Sequence, residues 1–339
     1  MLVAYPQTMT NVGTDFWIAF QPNYHDTLAD DLRISISSEY FTSGSVYSAF
    51  PGVNRNFTVV PGIVTTFSIP PEVTLFGGIE NKGIRITTAD PVSVYGLSFK
   101  SASTDAYMAL PVNALGTDYT VVTHKAVAFG DLTRISVVAT EDNTTVTIFN
   151  HWTGQTSVAS LDQGQAWLSN DPHATNQDIT GSRIQSNKPV VVLTSNDCVN
   201  IPTFSCQACD HIVELMFPYY AWGKNFITVP LAGRDNSGDA FRIVAADDGT
   251  VISVNGLVMS TINTGEYYET ILTGYNAITT SNPAMVAQFA KGIGCSGNIT
   301  GDPFMMLIPP YEQFLTHYTV TNLFEFYSNW VNSTCTPSG

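Results

Sequence analysis

Five cysteines carry the clearest chemistry in this sequence: Cys198, Cys206, Cys209, Cys295 and Cys335. The run Cys206-Gln207-Ala208-Cys209-Asp210-His211 has the form of a metal knuckle. A structural zinc site pairs two such knuckles, because four ligands must close a tetrahedron. No second Cys-x-x-Cys and no His-x-x-x-His is present. Oxidised loop staples are therefore expected, Cys198 with Cys209 and Cys206 with Cys295, with zinc as the alternative. Cys335 is left over, either as a free thiol or as a cross-link to another chain. Asp235 and Asp239, in Asp235-Asn236-Ser237-Gly238-Asp239, offer oxygens to calcium. The run lacks the ligand spacing and closing Glu of an EF-hand loop, and a polar hairpin turn accounts for it equally well.

Catalytic signatures are missing. There is no Gly-x-Ser-x-Gly elbow and no His-Glu-x-x-His helix. The six histidines, His25, His124, His151, His173, His211 and His317, follow no ligand spacing. A carboxylate pair for sugar hydrolysis is a matter of tertiary placement. Yet Asp105, Asp210 and Asp302 recur in one pattern three times, as structural turns do, where a catalytic residue would occur once. The expectation is a non-enzyme with no cofactor. Side chains suited to sugar or protein contact are the loop aromatics Trp152, Trp167, Tyr219, Tyr220, Tyr267 and Tyr268.

The elements that position these residues are read from composition. Of 339 residues, 44% are apolar, which allows a sizeable core, while only 12% are charged. Asp and Glu number 28 against 13 Lys and Arg, leaving a net charge of -15. Nucleic acid and anionic membranes need cationic neutralisation, so both drop out as partners. No apolar run reaches the ~18–20 residues of a membrane-spanning helix, and Met1-Leu2-Val3-Ala4-Tyr5-Pro6 lacks the parts of a secretory leader. The chain is then intracellular, or a mature or truncated form. Thr, Ser, Asn and Gly fill the polar positions, and short β-branched runs recur between turn residues, as in Leu32–Ser37 and Val64–Ile69. Thr, Val, Ile and aromatic residues favour strands. The fold class is all-β.

Three patterns each appear three times in the same order. The first is a strand carrying Arg33, Arg134 or Arg242, followed by hairpin chemistry such as Glu141-Asp142-Asn143 and Asp247-Asp248-Gly249. These arginines are expected to form one buried or edge ion pair per unit. The second is a strand, a proline turn at Pro91, Pro189 or Pro283, and another strand. The third is an Asp-led apolar run closing on Pro111, Pro218 or Pro309, with a further aromatic strand behind it. The arginines stand 101 and 108 residues apart and the prolines 98 and 94. Three tandem β-sandwich units of about 100 residues, Ig-like or jelly-roll-like, are thus expected as a rigid repeat array. Their bounds are 13–117, 118–221 and 222–320, with an N-terminal arm at 1–12 and a C-terminal tail at 321–339.

The arm and tail are apolar strands without a sheet, which either fold back on their own units or join subunits head to tail. Leu2, Val3 and Tyr5 at one end, and Leu323, Phe324, Phe326 and Tyr327 at the other, are candidates for pairing with another copy. Sequons at Asn56, Asn143, Asn298 and Asn332 permit N-glycosylation.

Several stretches together resemble a known family. They are Gly13-Thr14-Asp15-Phe16-Trp17-Ile18-Ala19-Phe20, Ala89–Gly96, Ser103–Pro111 and Val138–Val146, then Ala208-Cys209-Asp210-His211 with Trp222-Gly223-Lys224, and Gly301-Asp302-Pro303 ahead of Pro309-Pro310. In this order they are similar to the N-terminal domain of the IgGFc-binding protein family. The resemblance implies secretion, disulfides and a binding or scaffold role, and it supplies no catalytic residues. The von Willebrand-type cysteine-rich neighbours common in that family do not occur in this chain. The expected function is a secreted structural or adhesive module that self-associates head to tail into a filament or matrix. Its partners would be itself or other matrix proteins. The alternative is a soluble module recognising glycan or protein through its inter-strand loops.

Overall fold

The computed structural model describes residues 10–125, 132–169, 178–232, 237–296 and 302–315. It is all-β, with three sheets that each curl into a sandwich and repeat one strand plan. In the first unit the strands are Gly13–Ile18, Asp31–Ser37, Thr42–Tyr47, Arg55–Val59, Thr65–Ile69, Ile84–Phe99 and Asp105–Met108. The second unit repeats them as Gly116–Thr120, Thr133–Ala139, Thr144–Phe149, Thr156–Leu161, Ala166–Ser169, Arg183–Val199 and Asp210–Leu215. The third has Gly223–Thr228, Asp239–Ala245, Thr250–Val254, Leu257–Ile262, Tyr267–Leu272, Asn276–Phe289 and Met305–Ile308.

The long sixth strand organises every unit. Its first half pairs with the first and third strands, and its second half with the second and seventh. One strand therefore serves both layers of the sandwich by bending between them. The bend lies at Pro91, Pro189 and Pro283, so the expected strand, turn and strand are one continuous strand. Proline suits the corner because no ladder bond is asked of its nitrogen there. Polar groups at the corner are satisfied locally. Thr88, Ser186 and Thr280 hydroxyls donate to the carbonyls of Asp90, Lys188 and Asn282 at 2.8, 2.6 and 2.8 Å. The proline carbonyls accept from Ser38 Oγ, Thr140 Oγ1 and the Ala246 amide.

A second difference follows from the same bend. The acidic turns at 141–143 and 247–249 do not close hairpins, because the strands they join pair with opposite halves of the sixth strand. They are corners between layers. The hairpins join the third and fourth strands instead, as in Thr144–Phe149 with Thr156–Leu161.

Alternation along the strands drives the core. In Thr144–Phe149, Thr144, Val146 and Ile148 are buried while Thr145 and Phe149 are exposed. The apolar interior does not stop at unit boundaries. One cluster runs from Phe16 and Trp17 through Val137 and Leu193 to Phe289 and Leu307, and a smaller one around Phe226, Phe241 and Ile278 fills the third unit. Gly116–Thr120 already pairs into the second sheet, just ahead of the expected boundary at 118.

Candidate functional site

No group of three or more His, Cys, Asp or Glu side chains able to hold a metal ion occurs among the described residues. The concentrated chemistry lies at the two seams where one unit meets the next.

At the first seam the first unit donates a strand. Gly78–Glu80 pairs antiparallel with Ala166–Leu168 and so covers an edge of the second sheet. Close by, the Gly83 amide donates to the Gly164 carbonyl at 3.0 Å. Gln21 Nε2 donates to Ser136 Oγ at 2.7 Å. Arg134 is buried between two carboxylates: it grips Asp197 of its own unit through Nε and Nη2 at 3.0 and 3.1 Å, and it bonds Asp26 of the first unit.

The second seam repeats the clasp with different acids. Arg242 Nη1 binds Asp178 at 2.6 Å and donates to the Thr123 carbonyl at 2.5 Å, both in the second unit. Its Nε binds Glu269 at 2.6 Å, and its guanidinium lies 4.4 Å from the Tyr267 ring centre. Tyr267 in turn donates its hydroxyl to Asp178 at 3.0 Å. Gly181, at φ +90°, lies so close to Gly265 that a Cβ would come within 1.9 Å of the Gly265 carbonyl oxygen. A disulfide closes the seam: Cys206 and Cys295 are 89 residues apart and join the loop after Arg183–Val199 to the loop after Asn276–Phe289. Cys198–Cys209 tightens the first of these loops from within. The Gly292 amide adds a backbone bond to the Ile201 carbonyl at 2.9 Å.

Seventh strands carry carboxylates across both seams. Asp105 Oδ2 accepts from the Val213 amide at 2.9 Å, and Glu214 accepts from the Leu307 amide. Burial pushes the Asp105 carboxyl well above its usual range, Asp210 up to about 7 and Glu214 up to about 8. Asp197 is raised to about 6, because burial outweighs its bonds to Arg134. Burial would also raise Asp178, but Arg242, Thr180 and His124 hold it below the usual range. Burial lowers His124 to about 3 and His211 to about 4. The guanidinium groups of Arg134 and Arg242 are thus each paired with buried carboxylates at these seams.

The family model described as IgGFc binding protein matches residues 105–339. The chain belongs to the IgGFc-binding protein family. Human IgGFc-binding protein is 26% identical over 336 residues, a match that takes in 93% of this chain and 6% of the human protein. The chain thus spans a small fraction of the length of that relative.

Within this family member the expected site residues fall in different places. The structure joins Cys198 to Cys209 and Cys206 to Cys295. Asp239 is buried, with its carboxylate accepting from the Leu231 amide and Gln288 Nε2 at 3.0 and 2.9 Å. Asn56 is exposed on Arg55–Val59, and Asn143 is exposed in a turn at φ +54°. Asp235, Cys335, Asn298, Asn332, Leu2, Val3, Tyr5, Leu323, Phe324, Phe326 and Tyr327 lie outside the described residues. Among the aromatics, Trp152 is 60% exposed at a hairpin tip, where Asn150 Oδ1 accepts from its amide at 2.9 Å. Tyr219 is exposed, Tyr220 donates to the Ala114 carbonyl, and Tyr267 belongs to the second seam. Trp167 and Tyr268 are half-buried against the two cores.

The repeated arginines differ from expectation in one respect. Arg33 pairs within its own unit with Asp31 at 2.6 Å, whereas Arg134 and Arg242 reach into the preceding unit. Asp197 carries no clear sequence signal, since Thr194-Ser195-Asn196 separate it from the apolar run Val190–Leu193. The donated strand Gly78–Glu80 is too short for any periodic signal.

Proposed function

We propose that this chain works outside the cell as a non-enzymatic structural and adhesive module. Its three units, bounded near 13–117, 118–221 and 222–320, act as one rigid body that self-associates head to tail through its terminal strands. The observation that carries this is the construction of the seams: a donated strand, two arginine clasps and a disulfide between units. Such seams suit a part that transmits position or load. Membership in the IgGFc-binding protein family supports an extracellular setting, as do the two disulfides. Size-exclusion chromatography with light scattering tests the proposal. Oligomers that disappear when residues 1–12 or 321–339 are removed support it; a monomer for the full-length chain overturns it.

A second function is recognition of another protein or of a glycan. It is favoured by Trp152 and Tyr219, held exposed on rigid turns, and by the name of the human relative. An Fc pull-down and a glycan array test it, and negatives in both retire it.

A further inference from the structure

Two of the three units receive a neighbour on the same face. In the second, the edge strand Ala166–Ser169 takes up Gly78–Glu80, and Arg134 takes Asp26. In the third, Tyr267 and Arg242 take Asp178. The first unit owns the same parts. Arg33 stands where Arg134 and Arg242 stand, and Thr65–Ile69 stands where Ala166–Ser169 and Tyr267–Leu272 stand. Gly62 occupies the turn held elsewhere by Gly164 and Gly265.

That face is uncovered among the described residues. Thr65–Ile69 pairs with Asp31–Ser37 on one side and has no strand on the other. A Cβ built at Gly62 meets nothing within 4 Å, whereas at Gly164 it meets Trp17 at 3.1 Å and at Gly265 the Gly181 carbonyl oxygen at 3.1 Å. Ile63, beside Gly62, is 61% exposed. Arg55 lies at this edge with its guanidinium 4.7 Å from the Phe67 ring centre. Its Nε is buried and has no hydrogen-bond acceptor.

An open edge of this kind accepts an added strand. The occupant must be extended and apolar, and it must bring a carboxylate for Arg55. Gly78-Ile79-Glu80 shows such strand addition at the first seam, where Glu80 pairs with Lys82 of its own unit. In the sequence, Leu323-Phe324-Glu325-Phe326-Tyr327 supplies it: four apolar residues, one central acid and no base. It belongs to the 24 residues that follow Leu315, the last one described. Eight residues lead from Leu315 to Leu323 and reach at most ~29 Å. Leu315 follows Tyr311–Gln313, which packs on Gly223–Thr228 of the third unit. The second unit, with a radius of gyration of ~13 Å, stands between that point and the first. The strand is therefore better supplied by another molecule.

We infer that the outer edge of Thr65–Ile69 is a strand acceptor whose occupant is residues 323–327 of a second copy of this chain, with Glu325 as the counter-ion of Arg55. The inference rests on the self-association proposed above and names its acceptor and donor. Sedimentation velocity of the full chain, with circular dichroism as the folding control, tests it in the wild type, Arg55→Glu, Glu325→Arg and the double variant. The expected result is a concentration-dependent oligomer that each single charge reversal returns to monomer and the double variant restores. The milder Arg55→Gln and Glu325→Gln weaken association at least tenfold with the fold intact. Oligomers that persist in both single variants, or a double variant that stays monomeric, overturn the assignment while self-association stands. A wild type that is monomeric at every concentration overturns both.

Discussion

Arg134 and Asp197 show how strongly this chain commits charge to its seams. Both side chains are at least 98% buried, so the pair has given up its water and is held by mutual bonds and by Asp26. Removing one partner leaves the other as an uncompensated buried charge. Arg134→Ala is expected to cost ~3–5 kcal/mol in urea unfolding. Asp26→Asn should cost far less, because that carboxylate is half-exposed and screened. The buried carboxylates also set a pH dependence. Asp210 and Glu214 titrate higher in the fold than in the unfolded chain, so their contribution is full below pH ~4 and is lost as pH rises through about 7 and about 8. His211, lowered to about 4, acts oppositely: its contribution is full above pH ~6.5 and is lost as pH falls. The two trends oppose each other below ~6.5, and above it only the carboxylates act. Stability should therefore decline from pH 6.5 to 8.5, and Glu214→Gln should flatten that decline in unfolding curves taken across the range.

At the scale of elements, the seams depend on backbone approaching backbone. Gly181→Ala must fit a methyl where the Gly265 carbonyl already sits, at a positive φ. It should destabilise the chain by ~1–3 kcal/mol or more, read as a lower melting temperature. Cys206→Ser with Cys295→Ser removes the link between the second and third units and should cost ~2–4 kcal/mol by chemical denaturation. How much of this was legible in the sequence depends on repetition. The sandwich strands, the three arginines and the corner prolines each occur three times, so their period stood out. The clasps did not, because Arg134 meets Asp26 between the first and second strands while Arg242 meets Asp178 before the sixth. Unlike acids at unlike positions leave no repeat to find. The prolines were visible, but their geometry was not. A turn and a bent continuous strand carry the same residues, and only the pairing of both halves distinguishes them. The Cys206–Cys295 pair was legible from the cysteines; its service as a link between units needed the placement of the two loops.

At the scale of the molecule, the apolar core that crosses the seams makes three sandwiches one body. Its two ends are not alike. The first unit carries an open edge with Arg55 and Phe67, while the third carries an exposed Tyr275 where the first two have Gly83 and Gly181 at the start of the sixth strand. A third unit of this form cannot repeat the glycine contact of the internal seams, so the self-association proposed above relies on a donated strand. Native-state hydrogen exchange tests the central claim, that the seams lock the units together. The amides of Gly83, Val213 and Leu307, all bonded across seams, are expected to exchange with protection within about tenfold of core amides such as Val137 and Val192. Seam amides that exchange a thousandfold faster, with three cores protected separately, would contradict it.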